Sequence, residues 1–217
     1  MNRNYKEIYD ESLKNPEEFW QKVSEDVFWF KKPTKILKKD NPPFYKWFED
    51  GVTNTCYNAL DLHIDQGRGD KTALIYDSPI TESKAKFTFK ELKEKVSKFA
   101  GALDKQGVKK GDRVIIYMPM IPEAVVAMLA CGRIGAIHSV VFGGFASNEL
   151  ASRIDDSKAK ILITASCGFE PGRTVEYRPL VDGALKLAKH QVEKVILFQR
   201  KDHEVKLNKP LEISWDE

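Results

Sequence analysis

The chain has 217 residues, and 35 lysines and arginines against 32 aspartates and glutamates give it a formal net charge of +3. Hydrophobic residues make up 42% of the chain and aromatic residues 11%, which is enough to bury a core and excludes a disordered protein. The near balance of charges argues against a nucleic-acid-binding protein. No apolar run approaches the roughly 18 residues that a membrane-spanning helix needs, so we expect neither a nucleic-acid nor a membrane partner.

The N-terminal residues and the cysteines bear on the compartment. Met1–Glu11 has no apolar signal core and carries Glu7, Asp10 and Glu11, unlike a secretory signal or an arginine-rich transit peptide. The three cysteines and the four histidines are scattered, so the spacing predicts no disulfide and no metal site. These features favour the cytoplasm, and they leave the mitochondrial matrix open although no transit peptide is visible.

Residues 1–70 form a lead-in whose composition differs from that of the remaining chain. Three of the four tryptophans lie in its first 50 residues, together with the aromatic run Val27–Phe30 and a cluster of lysines. The sequence predicts one or two short helices over residues 4–25, with Asn15 as the N-cap and Pro16 in the first helical position. We expect the rest of the lead-in to be irregular chain held by aromatic contacts.

Residues 71–217 alternate between strand-like and helix-like patterns. Thr88 and Glu91 form a capping box at the start of a helix that ends at Gly107, and Pro122–Cys131 is apolar nearly all round. Further helices are predicted after Ser147 and over Leu180–His190. The short apolar runs that predict strands are Thr72–Tyr76, Arg113–Met118, Ala136–Val141, Lys160–Ala165 and Lys194–Phe198. The alternation predicts an α/β fold with a mostly parallel, doubly wound sheet.

One candidate binding loop follows a predicted strand. Ligands of parallel sheets bind beside the carboxyl ends of the strands, and Phe142, Gly143 and Gly144 stand at such an end. Paired glycines let a ligand approach the backbone closely. Ser147 is predicted to cap the next helix, whose positive end favours an anion. A tight strand-to-helix turn between packed aromatic rings explains the same residues equally well.

A second candidate loop is Ala165–Arg173, which follows another predicted strand. The planar guanidinium of Arg173 is suited to phosphate. A surface ion pair of Arg173 with Glu176 is the alternative, and spacing alone favours it. Cys167 is expected to be a passive thiol, because the sequence places no histidine or acid to activate it.

The sequence lacks the common catalytic motifs. It has no P-loop, no dinucleotide-binding glycine turn, no nucleophile elbow and no zinc-protease motif. Asp155 and Asp156 are adjacent on one helix end and point in different directions, so they are not expected to share acid–base work. We therefore predict no catalytic residue and no metal ligand within these residues.

Six stretches resemble the AMP-forming short-chain acyl-CoA synthetases, the acetyl- and propionyl-CoA synthetase branch of the adenylate-forming superfamily. They are Lys46–Phe48, Gly67–Tyr76, Phe87–Leu92, Gly111–Val114, Met118–Glu123 and Ala130–Phe145. The similarity covers roughly residues 16–217. It implies that residues 71–217 are the first α/β portion of the AMP-binding domain of that family, incomplete at its C-terminal end.

The resemblance also implies a binding site for coenzyme A. In this branch the segments that match Phe142, Gly143, Gly144 and Arg173 help to hold coenzyme A, and the arginine contacts its 3′-phosphate. Acetyl-CoA synthetases commonly carry a second arginine where this chain has Glu170, whose carboxylate would repel a phosphate. The Glu-Pro-Gly-Arg form is more like that of propionyl-CoA synthetases, which favours propionate over acetate.

The activity that the resemblance implies needs more than these residues. The family converts a short-chain carboxylate, Mg-ATP and coenzyme A into acyl-CoA, AMP and pyrophosphate through an acyl-adenylate, so these small molecules are the implied partners. Its phosphate loop, its nucleotide segment and its catalytic lysine do not occur before Glu217. We expect the 217-residue chain alone to be inactive. It is either the N-terminal portion of a ligase or a non-catalytic remnant that binds at most coenzyme A, a nucleotide or a partner chain.

Overall fold

The computed structural model describes residues 4–201 and 203–217, so Met1–Arg3 and Asp202 lie outside the description. The chain divides into two compact units, one up to Asn58 and one from Ala59 to Glu217. Within the described residues no helix is long and apolar enough to cross a membrane. The functional division at residue 70 stays a prediction.

The first unit consists of short elements joined by irregular chain. Trp29 lies 5.6 Å from Phe48 and Trp20 lies 6.1 Å from Trp47, measured between ring centroids. These contacts hold segments that are distant in the sequence. The elements of this unit are α1 (Tyr5–Lys14), α2 (Pro16–Val23), a 3₁₀ turn (Ser24–Asp26), and the antiparallel strands β1 (Leu37–Lys38) and β2 (Lys46–Trp47).

Asn15 stands at the N-cap position of α2 and Pro16 is its first residue, as predicted, but the side-chain hydrogen bonds of a cap are found at Asn4, at the start of α1. The Asn4 Oδ1 atom accepts a hydrogen bond from the Glu7 amide at 3.0 Å, and the Glu7 carboxylate accepts one from the Asn4 amide at 3.3 Å. Asn15 does precede Pro16 at the start of α2, but its side chain makes no capping hydrogen bond within the described residues. Asn15 also ends α1, because its amide donates to the Glu11 carbonyl at 3.0 Å. Its backbone angles (φ −129°, ψ 63°) therefore differ from the extended conformation that an N-cap residue usually has.

The second unit has the predicted alternation of strands and helices. Two π-helical segments, Tyr57–Asp61 and Ile64–Arg68, precede its first strand. The elements that follow are β3 (Thr72–Ser78), β4 (Ser83–Thr88), α3 (Phe89–Lys105), β5 (Arg113–Met118), α4 (Pro122–Ile134), β6 (Ile137–Phe142), α5 (Ser147–Ser157), β7 (Ile161–Ala165), β8 (Cys167–Glu170), β9 (Arg173–Glu176), α6 (Tyr177–Leu187), β10 (Lys194–Phe198) and β11 (Glu212–Ser214).

Five of these strands form a parallel sheet in the order β11-β10-β7-β5-β6. The inner strand β7 is buried along its whole length and β5 along all but its first residue, because each is covered on both faces. The predicted α/β class and the parallel sheet are confirmed. The strand β6 lies at the edge of the sheet among the described strands and is largely exposed, although most of its residues are apolar.

Helices cover both faces of the sheet. Ile115 packs in one cluster with Leu150 of α5 and Val181 of α6. Ile116, which points to the opposite face, lines a small apolar cavity of about 180 Å³ together with Val125 of α4. Successive residues of a strand point to opposite faces of the sheet. A strand such as β5, which is covered by helices on both faces, therefore consists of consecutive apolar residues.

The strand β3 lies outside the parallel sheet. It pairs with β4 as an antiparallel hairpin, in which Ser78 faces Ser83 and Thr72 faces Thr88. The strand β4 was not predicted from the sequence, although its apolar residues Ala85 and Phe87 alternate with polar residues as in a half-buried strand. This hairpin brings the turn after β3 close to the carboxyl ends of the sheet strands.

The capping box before α3 is confirmed. The Thr88 hydroxyl accepts from the Glu91 amide at 3.2 Å, and the Glu91 carboxylate accepts from the Thr88 amide at 2.7 Å. Gly107 follows the end of this helix with φ +83°, a left-handed conformation that favours glycine. The helix α6 begins at Tyr177, three residues before the predicted start, and this shift places Tyr177 beside the candidate loops.

Candidate functional site

The two candidate loops predicted from the sequence lie side by side at the carboxyl ends of the parallel strands. The strands β6 and β7 pair with opposite sides of β5, so the chain changes sides between them. Such a switch point is where ligands of open α/β sheets bind. A groove of about 550 Å³ lies there, lined by Tyr76–Ile80, Met118–Ile121, Val140–Gly144, Gly168–Glu170, Val175, Tyr177 and Arg200.

Phe142 forms an exposed wall of this groove. Its side chain is 69% exposed and stands edge-on to Phe145, with 5.6 Å between ring centroids. The turn beneath it is held by Tyr117, whose hydroxyl donates to the Phe145 carbonyl at 2.8 Å. Burial raises the pKa of Tyr117 to about 12, so this hydroxyl keeps its proton at neutral pH.

The paired glycines give space to neighbouring aromatic rings. A Cβ atom on Gly143 would lie 2.0 Å from the Tyr177 hydroxyl, and one on Gly144 would lie 2.7 Å from the Phe142 ring. A Cβ atom on Gly168 in the second loop would lie 3.0 Å from the same Tyr177 hydroxyl. Tyr177 therefore packs under both loops, and the tight-turn reading accounts for the glycines without a ligand. The same packing leaves Gly143 and Gly144 in the groove wall.

Tyr177 is a neutral polar group in this groove. The residue is 4% exposed, and its ring lies 4.9 Å from that of Tyr117. Burial is the main cause that raises the pKa of the Tyr177 hydroxyl above its ordinary value of 10. The hydroxyl therefore remains a hydrogen-bond donor over the physiological pH range.

The predicted cap at Ser147 was wrong. Ala146 occupies the N-cap of α5, and Ser147 is the first helical residue. The Ser147 hydroxyl donates to the Leu180 carbonyl at 2.9 Å, so it ties α5 to α6. Gly183 accommodates this contact, because a Cβ atom there would lie 2.6 Å from the Ser147 hydroxyl oxygen. Ser147 at the start of α5 therefore packs this helix against α6, and its hydroxyl does not cap the helix.

Arg173 is placed at the tip of the hairpin formed by β8 and β9. It faces Glu170 across the hairpin, and its Nη2 and Nε atoms lie 2.6 and 2.7 Å from one Glu170 carboxylate oxygen. The alternative pair of Arg173 with Glu176 was wrong, because the two-residue turn brings Glu170 opposite Arg173. The Arg173 side chain is 71% exposed, and Arg173 lies outside the groove lining given above.

A buried serine fixes two groove residues that the sequence analysis missed. The Ser166 carbonyl accepts from the Tyr177 amide at 3.1 Å, and its hydroxyl oxygen accepts from the Arg200 amide at 2.8 Å. Ser166 is 0% exposed, and its own amide donates to Phe198 at 2.9 Å. Arg200 could have been found with the rule already used, since it follows the carboxyl end of the predicted strand Lys194–Phe198.

Cys167 is fully buried at the base of the second loop. Burial is the main cause that raises the pKa of its thiol, which keeps the sulfur protonated at neutral pH. In residues 4–201 and 203–217, no group of three or more histidine, cysteine, aspartate or glutamate side chains could hold a metal ion. The groove lining presents backbone groups, aromatic rings and the Arg200 side chain.

The fold and the groove define a class of protein. Residues 63–215 match the family of AMP-binding enzymes, and residues 5–59 match the N-terminus of acetyl-coenzyme A synthetase. The chain belongs to the AMP-binding enzymes. The resemblance stated from the sequence motifs is confirmed at this level.

The chain is similar in sequence to short-chain acyl-CoA synthetases. The mitochondrial acyl-CoA synthetase short-chain family member 3 of Homo sapiens is 54% identical over 214 residues, which are 98% of this chain and 31% of that protein. An acetyl-coenzyme A synthetase of Streptomyces avermitilis is 45% identical over 97% of this chain and 32% of its own length. The chain thus spans about a third of the curated relatives it matches, and it corresponds to their N-terminal portion.

A solved structure supports the same relationship. The acetoacetyl-CoA synthetase from Streptomyces lividans superimposes with a TM-score of 0.86 and is 26% identical in sequence. The match covers 99% of this chain and 32% of that one. Both units of the chain therefore have counterparts in a protein of this kind.

Proposed function

We propose that this chain is the N-terminal portion of a ligase that joins a short-chain carboxylate to coenzyme A at the expense of ATP. The observation that carries the proposal is the groove at the switch point, where Phe142, Gly143 and Gly144 from one loop meet Gly168–Glu170 from another. Its place in the sheet is where α/β enzymes bind nucleotide-containing molecules. The proposed partners are small molecules: the carboxylate, Mg-ATP and coenzyme A.

The proposed reaction has two steps. A carboxylate oxygen attacks the α-phosphorus of ATP, and pyrophosphate leaves. The thiol of coenzyme A then loses its proton and attacks the acyl carbon, and AMP leaves with the bonding electrons. This portion of the ligase contributes to the second step, with Phe142, Gly143, Gly144 and Arg173 holding coenzyme A. The adenylating groups are proposed to lie in sequence that the relatives carry beyond the matched third.

The proposed acyl substrate is propionate in preference to acetate. This preference rests on the segment Glu170–Arg173, in which a carboxylate stands where acetyl-CoA synthetases commonly carry an arginine. The ion pair of Glu170 with Arg173 gives this carboxylate a structural role in the hairpin. Competition between the two acids for the full-length ligase measures the preference, and a larger kcat/KM for acetate would contradict it.

The proposed compartment is the cytoplasm, with the mitochondrial matrix as the alternative. The free cysteines suit the reducing cytoplasm, and the printed name of the human relative favours the mitochondrial matrix. Fractionation of cells that express the tagged full-length protein distinguishes them.

The activity is tested by separating the half-reactions. Full-length ligase carrying this chain should catalyse carboxylate-dependent exchange between ATP and pyrophosphate, and should form the thioester when coenzyme A is added. The isolated 217-residue chain should catalyse neither. The Arg173→Ala variant of the full-length ligase should use coenzyme A less well and keep the exchange reaction. A full-length protein with neither activity would leave the non-catalytic remnant as the better description.

A further inference from the structure

The charges that line the groove are unevenly distributed. Asp77, Glu170 and Arg200 are its charged residues among the described part of the chain. Asp77 lies 2.9 Å from Lys84, and Glu170 lies 2.6 Å from Arg173, so each carboxylate has a cation outside the lining. Arg200 is the one cation in the described wall of the groove. An anionic ligand would therefore meet its positive charge at Arg200.

The backbone of Arg200 is held in place from two directions. Its amide donates to the buried Ser166 hydroxyl oxygen at 2.8 Å. The neighbouring Gln199 side chain closes the following turn, because its amide nitrogen donates to the Val205 carbonyl at 2.7 Å and its oxygen accepts from the Val205 amide at 3.1 Å. Because the backbone is already ordered, less conformational entropy is lost when Arg200 binds a ligand.

The guanidinium of Arg200 is oriented by an aromatic ring. Its central carbon lies 5.0 Å from the centroid of Phe169, another residue of the groove wall. A guanidinium that stacks on a ring contacts it with its planar face, so the N–H groups at its edges remain available to donate hydrogen bonds to a ligand. Within residues 4–201 and 203–217, no carboxylate forms an ion pair with Arg200, whereas Arg173 is paired with Glu170.

We propose that Arg200 binds a phosphate of coenzyme A and supplies the second positive charge that Glu170 cannot supply. The inference rests on the proposed function, and it adds a residue to the site. Arg173 lies at the hairpin tip in an ion pair with Glu170, whereas Arg200 lines the groove.

The test compares Arg200→Gln with Arg153→Gln in the full-length ligase. Arg153 is a matched control, because its guanidinium lies 5.5 Å from the Phe145 ring and outside the groove lining. We expect Arg200→Gln to raise the KM for coenzyme A about tenfold or more, as loss of a charged hydrogen bond does, and to leave pyrophosphate exchange intact. Arg153→Gln should change neither. Each variant is also assayed with dephospho-coenzyme A, which lacks the 3′-phosphate.

The outcomes distinguish direct binding of a phosphate by Arg200 from a purely structural role of this residue. A tenfold loss seen with coenzyme A alone assigns Arg200 to the 3′-phosphate, and the same loss with both thiols assigns it to the diphosphate. An unchanged KM, or an equal loss of pyrophosphate exchange and thioester formation, would overturn the inference. A wild-type ligase that forms no thioester would instead refute the proposed function.

Discussion

Gly143 and Gly168 lie against the same side chain, the phenol of Tyr177. Both glycines have backbone angles outside the left-handed region, so neither is required by a positive φ. Their shared requirement is space, since a methyl group at Gly143 would overlap the Tyr177 hydroxyl. The glycine that looked like a ligand contact in the sequence is thus first a packing residue.

Substitution of Gly143 tests this packing directly. We expect Gly143→Ala to lower the free energy of unfolding by about 1–3 kcal/mol, because the added methyl group forces Tyr177 to move. Gly144→Ala is the control, and it should cost less because the Phe142 ring that it meets is exposed and free to turn. Denaturant unfolding measures both. In a Tyr177→Phe background the cost at Gly143 should shrink, and an unchanged cost would contradict the role of the hydroxyl.

The environment of Asp61 predicts a pH-dependent contribution to stability. The side chain is nearly buried, and its carboxylate lies 2.6 Å from Arg133 and 2.9 Å from Lys93. Burial by itself raises the pKa of Asp61, but the hydrogen bonds and charges of the two cations outweigh it and hold the pKa below 3.8. A lowered pKa stabilises the fold above the ordinary pKa, and this contribution is lost as the pH falls through the lowered value.

The Asp61→Asn variant should therefore be pH-dependent in its effect. At pH 7 it should lower the free energy of unfolding by about 2–3 kcal/mol, because Arg133 and Lys93 each lose a charged hydrogen bond to the Asp61 carboxylate. The difference from the wild type should stay constant down to about pH 5 and narrow below the ordinary pKa of an aspartate. Asp70→Asn is the control, since its pair with Lys90 is exposed and should contribute little. A difference that does not narrow in acid would contradict the assignment.

The helix α3 shows how a local sequence signal fixes an element. Thr88→Ala should lower the free energy of unfolding by about 1 kcal/mol, because the Glu91 amide loses its acceptor. Ser97→Ala, at an exposed position inside the same helix, should be neutral or slightly stabilising, since alanine has the higher helix propensity. Thermal and denaturant unfolding measure the two variants. Equal costs at both positions would show that the capping box is not needed.

Elements with a strong local pattern were predictable, and elements defined by pairing were not. The buried strand Arg113–Met118 and the capped helix α3 follow from runs and caps that the sequence carries. The strand β4 was missed because its six residues gain their order from pairing with β3. The boundary of α6 shifted for a similar reason, since the Tyr177 amide is bound by Ser166 from another segment.

The candidate site was predictable in place and not in detail. The strand-end rule located Phe142–Gly144 and the loop before Arg173, and the structure brings both into the groove but leaves Arg173 itself outside the lining. The pairing of Arg173 with Glu170 depends on the hairpin register, which the sequence pattern does not specify. Arg200 comes from a third loop, which the strand-end rule places at the same end of the sheet, and the tertiary fold shows that it lines the same groove as Phe142.

On the scale of the whole molecule, the sheet is asymmetric. The edge strand β6 pairs with β5 alone among the described strands, and its residues Ile137, Val140 and Phe142 are 57%, 52% and 69% exposed. Ile75 of the neighbouring hairpin is 66% exposed as well. An exposed, apolar edge strand with free backbone groups is a template for pairing with another chain.

We therefore expect the isolated 217-residue chain to self-associate. Replacing both Ile137 and Val140 with lysine should shift it toward a monomer, because charges on an edge strand oppose pairing between copies. Leu187→Lys is the matched control, since Leu187 is 60% exposed but lies at the end of α6, away from the sheet edge. Sedimentation velocity over a range of concentrations measures the association. A monodisperse, cooperatively unfolding wild-type monomer would contradict the prediction, and equal relief by Leu187→Lys would place the association elsewhere on the surface.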